Sequence, residues 1–295
     1  MTRRTRSGVG KKAGLLGAAA AAIAAAVLIY KGPKTETLAR ETDLSTPVAA
    51  FAEVGGLPRE APPRAGYEEF VNTGYAVGYD EALLAPLWSA YYCPPDVRFK
   101  SSERSPFAPD LRLPEAFRLV TKDFNNTPGA TKYDRGHMAP NSAIATRYGE
   151  KAQKETFLLT NIVPQRSELN QTFWRYLEKK ISDVWAPQMK GVWVVVGPVF
   201  GKNPRRMNGR AAIADAFYCI VLDRDEATGN LRALALLVPQ QEKGNLPLAP
   251  FETSIREIER RTGLDFFSAL PDTVEVPLEE RAKADAFWNA AANVN

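Results

Sequence analysis

Thiol and imidazole chemistry are nearly absent from this sequence: 295 residues hold two cysteines, Cys93 and Cys219, and a single histidine, His137. So few cysteines exclude a disulfide-built scaffold, although one bridge between the two is allowed. Three such residues are also too few for a closed zinc site of cysteines and histidines. No internal repeat is present. Charge of one sign is not in large excess either: 38 Lys and Arg against 34 Asp and Glu leave a net charge of +4. That balance suits a polyanionic partner without requiring one. What is present is apolar: 45% of the chain, with 24% charged, enough for a sizeable core and against wholesale disorder.

Long apolar runs are rare too. One uncharged stretch, Ala13–Tyr30, follows the basic residues Arg3, Arg4, Arg6, Lys11 and Lys12. It is short for a membrane span of about 20 residues. The pattern predicts a signal segment or an uncleaved anchor over residues 1–30, with the basic flank held in the cytoplasm. Residues 31–66 are polar and punctuated by Pro and Gly, and read as a flexible linker with a short helix near Val48–Val54. The folded domain is expected over 67–295. Export follows from this reading: a membrane-anchored protein with its domain external or periplasmic, or a secreted one after cleavage. The basic, acid-free first thirty residues keep a mitochondrial destination as the alternative.

Within the domain, strands are expected in the segment after Tyr67, at Pro86–Cys93, at Thr156–Val163, and in "GVWVVVGPVF", "AIADAFYCIVLD" and "LRALALLVP". Helices are expected at about Ser167–Trp185, where Phe173, Leu177, Ile181 and Val184 recur at helical spacing, and at "PFETSIREIERRTGL", which Gly263 should stop. A last helix is expected in "EERAKADAFWNAAANVN". Strands in the middle with helices attached make an α+β domain.

The only histidine sits in "KYDRGHMAP". A neutral imidazole can take a proton from water. Arg135 offers a planar fork of donors that matches phosphate. Gly136 allows close backbone approach, and Asp134 can accept hydrogen bonds that set local geometry. Downstream, "TNIVPQRSELNQTFWRYLEKK" places Asn170, Trp174 and Glu178 four residues apart, on one helical face. An amide oxygen and a carboxylate are hard ligands suited to magnesium, manganese or calcium, with the remaining positions left to water and phosphate. Taken one at a time, these residues also fit blander roles: a structural histidine, a surface turn, a helix cap at Asn170 and a solvated Glu178.

Taken together, "YDRGHMAP", "FLLTNIVPQ" and "LNQTFWRYLE" resemble the DNA/RNA non-specific endonuclease family, the ββα-metal nucleases that include secreted bacterial nucleases and mitochondrial endonuclease G. The resemblance runs from about Tyr67 to Leu270, and no substitution falls on His137, Asn170 or Glu178. It implies a ββα-metal fold with a central antiparallel sheet flanked by helices. It implies metal-dependent hydrolysis of DNA and RNA to 5′-phosphate products. The ion is expected to be Mg2+, with Mn2+ or another divalent cation in its place. His137 becomes the general base and Asn170 the direct metal ligand, while Glu178 acts on the metal through water. Asn161 positions the site, and Arg135 and the upstream Arg104 meet the phosphate. Asp134 and Gly136 support the geometry. Lys132, Arg147 and Trp174 are candidates for substrate contact. DNA and RNA are the expected partners, with the membrane through an uncleaved N-terminus and a second copy of the chain as further candidates. A catalytically weak nucleic-acid-binding protein on the same scaffold is the alternative.

Overall fold

The computed structural model describes residues 46–100, 103–244, 247–283 and 288. Seven strands form its central sheet, in the spatial order Glu252–Thr253, Leu231–Pro239, Ala216–Arg224, Val192–Val199, Ala85–Cys93, Ala76–Asp80 and Tyr67–Val71. Every neighbouring pair is antiparallel. Both faces are covered, which is why Val192–Val199 is buried along its whole length and reads as an unbroken apolar run. Alternate residues still go to opposite faces. Val194, Val196 and Phe217 pack against Phe173, Trp174 and Leu177 on one side. Trp193, Val195, Tyr218 and Ile220 pack with Ile255 and Ile258 on the other. The expected α+β architecture, an antiparallel sheet flanked by helices, is what the chain adopts.

A separate antiparallel ribbon pairs Tyr133–His137 with Ile162–Arg166, setting His137 opposite Ile162 and Gly136 opposite Val163. Between these strands lie the helices Asn141–Tyr148 and Glu150–Thr156. After the ribbon the chain enters a helical run over 167–188. The run is wound as π-helix at Asn170–Trp174 and again at Lys180–Trp185. Strand, strand and helix therefore follow in the ββα order. Phe173, Leu177 and Ile181 are buried as their spacing predicts.

Several expectations need correction. The strand expected at Thr156–Val163 begins at Ile162, because Thr156 ends a helix and Leu159–Asn161 forms a 3-10 turn. A short buried apolar run has the same composition in either geometry. The linker does not extend to residue 66. Ala50, Phe51 and Val54 are fully buried in the second core, Trp193 Nε1 donates to Ala50 O at 2.8 Å, and Arg59–Glu60 pairs with Leu264–Asp265. The short helix is there, at Pro47–Ala52. Cys93 and Cys219 are both free and buried. The Val192–Val199 strand runs between theirs, and two strand spacings of about 4.8 Å exceed the Cα reach of a disulfide, about 7 Å. The helix expected from Glu279 onward falls largely outside the described residues; the Asp272–Glu280 helix ends as that stretch begins.

Membrane attachment is also corrected. No helix among the described residues is long and apolar enough to cross a membrane. Ala13–Tyr30, which carried the readings of a signal segment, an anchor and an exported location, lies outside the described residues. Neither a membrane partner nor that location is retained.

Candidate active site

The ribbon fits together because Gly136 has no side chain. A Cβ there would meet Gln165 Oε1 at 2.6 Å and Gln165 Cβ at 2.7 Å, so this position takes glycine for close approach. Immediately beyond His137, Asn161 clamps the chain. Its Nδ2 donates to Ala139 O and Thr156 O, both at 3.0 Å, and its Oδ1 accepts from Ala139 N at 2.8 Å and from Ser89 Oγ at 2.9 Å. Ser89 belongs to the central sheet, so this amide ties the turn after His137 to the rigid core. Asn161 is fully buried and acts on the site through backbone.

His137 sits between two phenyl rings. Phe157 meets it edge-on at 5.0 Å and Phe107 lies tilted at 5.4 Å. Its Nε2 is buried without a hydrogen-bond partner among the described residues. Burial, and secondly the charge of Arg104, lower its pKa to about 3, so the imidazole is neutral at physiological pH. The same rings carry the two arginines. Arg135 lies 4.8 Å over Phe107 and Arg104 5.6 Å over Phe157, contacts that hold guanidinium planes by cation–π attraction.

A cavity of about 300 Å³ is lined by His137, Arg104, Arg135, Asn141, Ser142, Asn170, Gln171, Arg175 and Glu178. It gathers His137, Arg104, Arg135, Asn170 and Glu178 from three separate segments of the chain. Asp134 stands behind this group. Its carboxylate accepts from Ser167 Oγ at 2.7 Å, Asn170 Nδ2 at 2.9 Å and Gln171 Nε2 at 2.8 Å. Burial alone would raise the Asp134 pKa, but these hydrogen bonds outweigh it and hold the carboxyl below its ordinary value.

Not every expected contact residue reaches the cavity. Arg147 is buried and donates to Pro94 O at 3.3 Å, Thr146 Oγ1 at 2.7 Å and Ser182 O at 2.6 Å. It is a structural bridge and is withdrawn from substrate contact. Trp174 is buried against Phe217, with ring centroids 5.5 Å apart, and is withdrawn likewise. The reason is the winding of the helix. The expected face of 170, 174 and 178 assumes regular α turns, whereas the wider π turn at Asn170–Trp174 shifts the register. Gln171, Arg175 and Glu178 share the cavity wall with Asn170 instead. Lys132 is exposed beside the ribbon and lines neither this cavity nor its neighbour. The sequence reading missed Phe107, Phe157, Gln171 and Arg175. Only the last two carried a signal, their four-residue spacing on the helix.

The donor set fits a divalent cation. Asn170 commits its Nδ2 to Asp134, which leaves the amide oxygen free of that bond. Glu178 makes no hydrogen bond to any described residue, and burial, opposed by Arg104, raises its pKa to about 8. A carboxyl short of partners gains most from a cation. Oxygens of Glu259, Asp265 and Glu279 also lie within 4.8 Å of one another and could coordinate a divalent metal. That trio sits with the second core, across the sheet from the helical run, and Arg256 already pairs with Glu259 at 3.0 Å and Glu279 at 2.6 Å. Hard oxygen ligands of either kind do not single out magnesium.

Comparison with known proteins is consistent with this geometry. A family model described as DNA/RNA non-specific endonuclease matches residues 61–273. The mouse protein "Nuclease EXOG, mitochondrial" is 29% identical, over 88% of this chain and 72% of its own length. A nuclease of Serratia marcescens is 30% identical, over 72% of this chain and 79% of its own. The crystal structure of an EndoG/EndoGI complex superposes with a TM-score of 0.60 at 23% identity, covering 71% of this chain and 89% of that one, which establishes likeness of fold.

Proposed function

For a chain that belongs to the DNA/RNA non-specific endonuclease family, and so is a metal-dependent nuclease, we propose hydrolysis of DNA and RNA phosphodiesters with His137 as general base. The observation that carries this reading is the shared cavity. One neutral imidazole, two stacked guanidiniums and two oxygen ligands converge there from distant parts of the sequence.

In this mechanism Arg104 and Arg135 bind the scissile phosphate and oppose the charge that builds on it during attack. His137 takes the proton of the attacking water. Its low pKa works against that step in the free protein. A bound phosphate offsets the positive charge of Arg104, the lesser of the two causes, and so recovers part of that basicity when substrate is present. Asp134 orients Asn170, and Asn161 fixes the backbone beyond His137. Asn170 would hold the divalent ion directly and Glu178 through water; the ion, proposed to be magnesium, when bound supplies Lewis-acid neutralisation of the phosphate and the leaving oxygen. The 3′ oxygen departs, takes a proton from solvent water to become the 3′-hydroxyl, and leaves the 5′-phosphate on the product. The ribose 2′-hydroxyl takes no part, so both polymers serve. Phosphate contacts carry little sequence information, in keeping with non-specific cleavage. The nuclease unit is proposed to begin at the Pro47–Ala52 helix, whose burial in the core supports that boundary.

The test uses the full-length protein with supercoiled plasmid and with single-stranded RNA, in magnesium and in EDTA, beside a folded H137A variant. Metal-dependent loss of both substrates, abolished in H137A, supports the reading. Full activity in H137A would overturn the general-base assignment. A folded wild-type protein that binds nucleic acid and cuts neither polymer is a binding module instead.

A further inference from the structure

A second cavity, of about 400 Å³, adjoins the first and shares Arg104, Arg135, Asn170 and Gln171 with it. Past that common rim its lining mixes the aromatic Phe107, Phe124 and Tyr133 with Asn126 and Asp134. A phosphate site has no use for aromatic walls. The volume falls within the range of small-molecule sites, about 300–1,000 Å³. We propose that this cavity is a nucleoside subsite, holding the nucleotide next to the scissile phosphate by stacking and reading no base edge. The proposal rests on the nuclease reading above.

The stacking plane is the Arg135 guanidinium, backed by Phe107 at 4.8 Å; Arg135 is an exposed residue. Arginine planes and aromatic rings both stack on nucleobases, and such stacking tolerates any base because every base has a π face. Base edges meet few free groups here, because most of the deeper polar atoms are already engaged. Asn126 spends its amide on the Tyr133 backbone, accepting from Tyr133 N and donating to Tyr133 O, both at 2.8 Å. The Tyr133 hydroxyl accepts from Arg205 Nη2 at 3.4 Å. The Asp134 carboxylate already accepts three hydrogen bonds. The subsite therefore grips a nucleoside without selecting one, and it sits where the phosphate next to that nucleoside reaches His137.

The test is cleavage mapping on a short single-stranded DNA carrying one abasic tetrahydrofuran residue, with the full-length protein and magnesium. The expected result is a fall of about ten-fold in kcat/KM at one of the two bonds flanking the abasic residue, with remote bonds unchanged. Substituting the four bases in turn at that position should change the rate far less. In Phe107→Leu the abasic penalty should shrink, whereas a folding defect would lower cleavage at all bonds alike. Flanking bonds cut at the remote rate would overturn the subsite. A spread among the four bases as large as the abasic penalty would overturn stacking without edge reading. Failure to cut any bond would instead strike the nuclease reading itself.

Discussion

The Asp134 carboxylate takes the Asn170 amide N–H at 2.9 Å, so the strand that carries the histidine also orients the helix residue proposed to bind the metal. It is one of three hydrogen bonds from the helical run to that carboxylate, and they join the two halves of the ββα unit at the point where the chemistry is expected.

If that bond orients Asn170, replacing Asp134 should act on the metal more than on the fold. In D134A the magnesium concentration for half-maximal cleavage is expected to rise about 10- to 100-fold, as for other outer partners of metal ligands. Melting curves with and without magnesium provide the control. An unchanged magnesium requirement in a folded variant would remove Asp134 from the metal's support.

A pH dependence follows from Asp110. This buried carboxylate takes Arg112 Nε at 2.9 Å and Nη2 at 2.6 Å, and Thr160 Oγ1 at 2.8 Å. It thereby fastens the loop of Arg104 and Phe107 next to Asn161. Burial raises its pKa, but the bonds from Arg112 and Thr160 win and set it below the ordinary 3.8. A lowered folded pKa means that the stabilisation is complete above 3.8 and is lost as pH falls through the folded value. Acid denaturation of D110N should lack that part of the slope. At neutral pH, D110A should cost about 1–3 kcal/mol, readable by urea unfolding.

Gly136→Ala should overpack the ribbon, because the new methyl would meet Gln165 at 2.6 Å. A loss of about 1–3 kcal/mol is expected. Trimming Gln165 to Ala in the same protein should recover part of it, since Gln165 is the obstructing side chain and its own amide has no partner among the described residues. A double-mutant cycle on denaturant midpoints measures the coupling. Strict additivity would mean that the strands adjust elsewhere.

Two arginines should separate cleanly. R135A should weaken nucleic-acid binding and lower the slope of log K against log salt by about 0.9, the share of one phosphate contact. R147A should leave that slope unchanged and instead reduce thermal stability, because its guanidinium bridges Pro94 and Ser182 inside the molecule. An equal salt effect in both variants would contradict the placement of Arg147.

Much of the site was legible without coordinates. A lone histidine after Asp, Arg and Gly, followed by Asn170 and Glu178 in an amphipathic helix, carries its chemistry in residue type and spacing. The strands of the central sheet announce themselves because burial on both faces demands long apolar runs such as Val192–Val199. What misled was periodicity taken as ideal. Assuming α-helical turns put Trp174 on the substrate face, and the Pro- and Gly-rich composition before Tyr67 hid that the short helix there packs into the core rather than riding on a linker. Basic residues were ambiguous for the same reason, since a guanidinium satisfies buried carbonyls as readily as phosphates, and composition does not say which it meets.

The sequence by itself determined the α+β class, because strand and helix patterns are local, and its family resemblance proposed which groups react. Only the tertiary structure decided which groups meet. The π turn that moves Gln171 and Arg175 into the cavity, the phenyl pair around His137 and the exclusion of Arg147 depend on contacts between residues far apart in the chain. Such contacts are selected by packing of the whole core, and no window of sequence contains them.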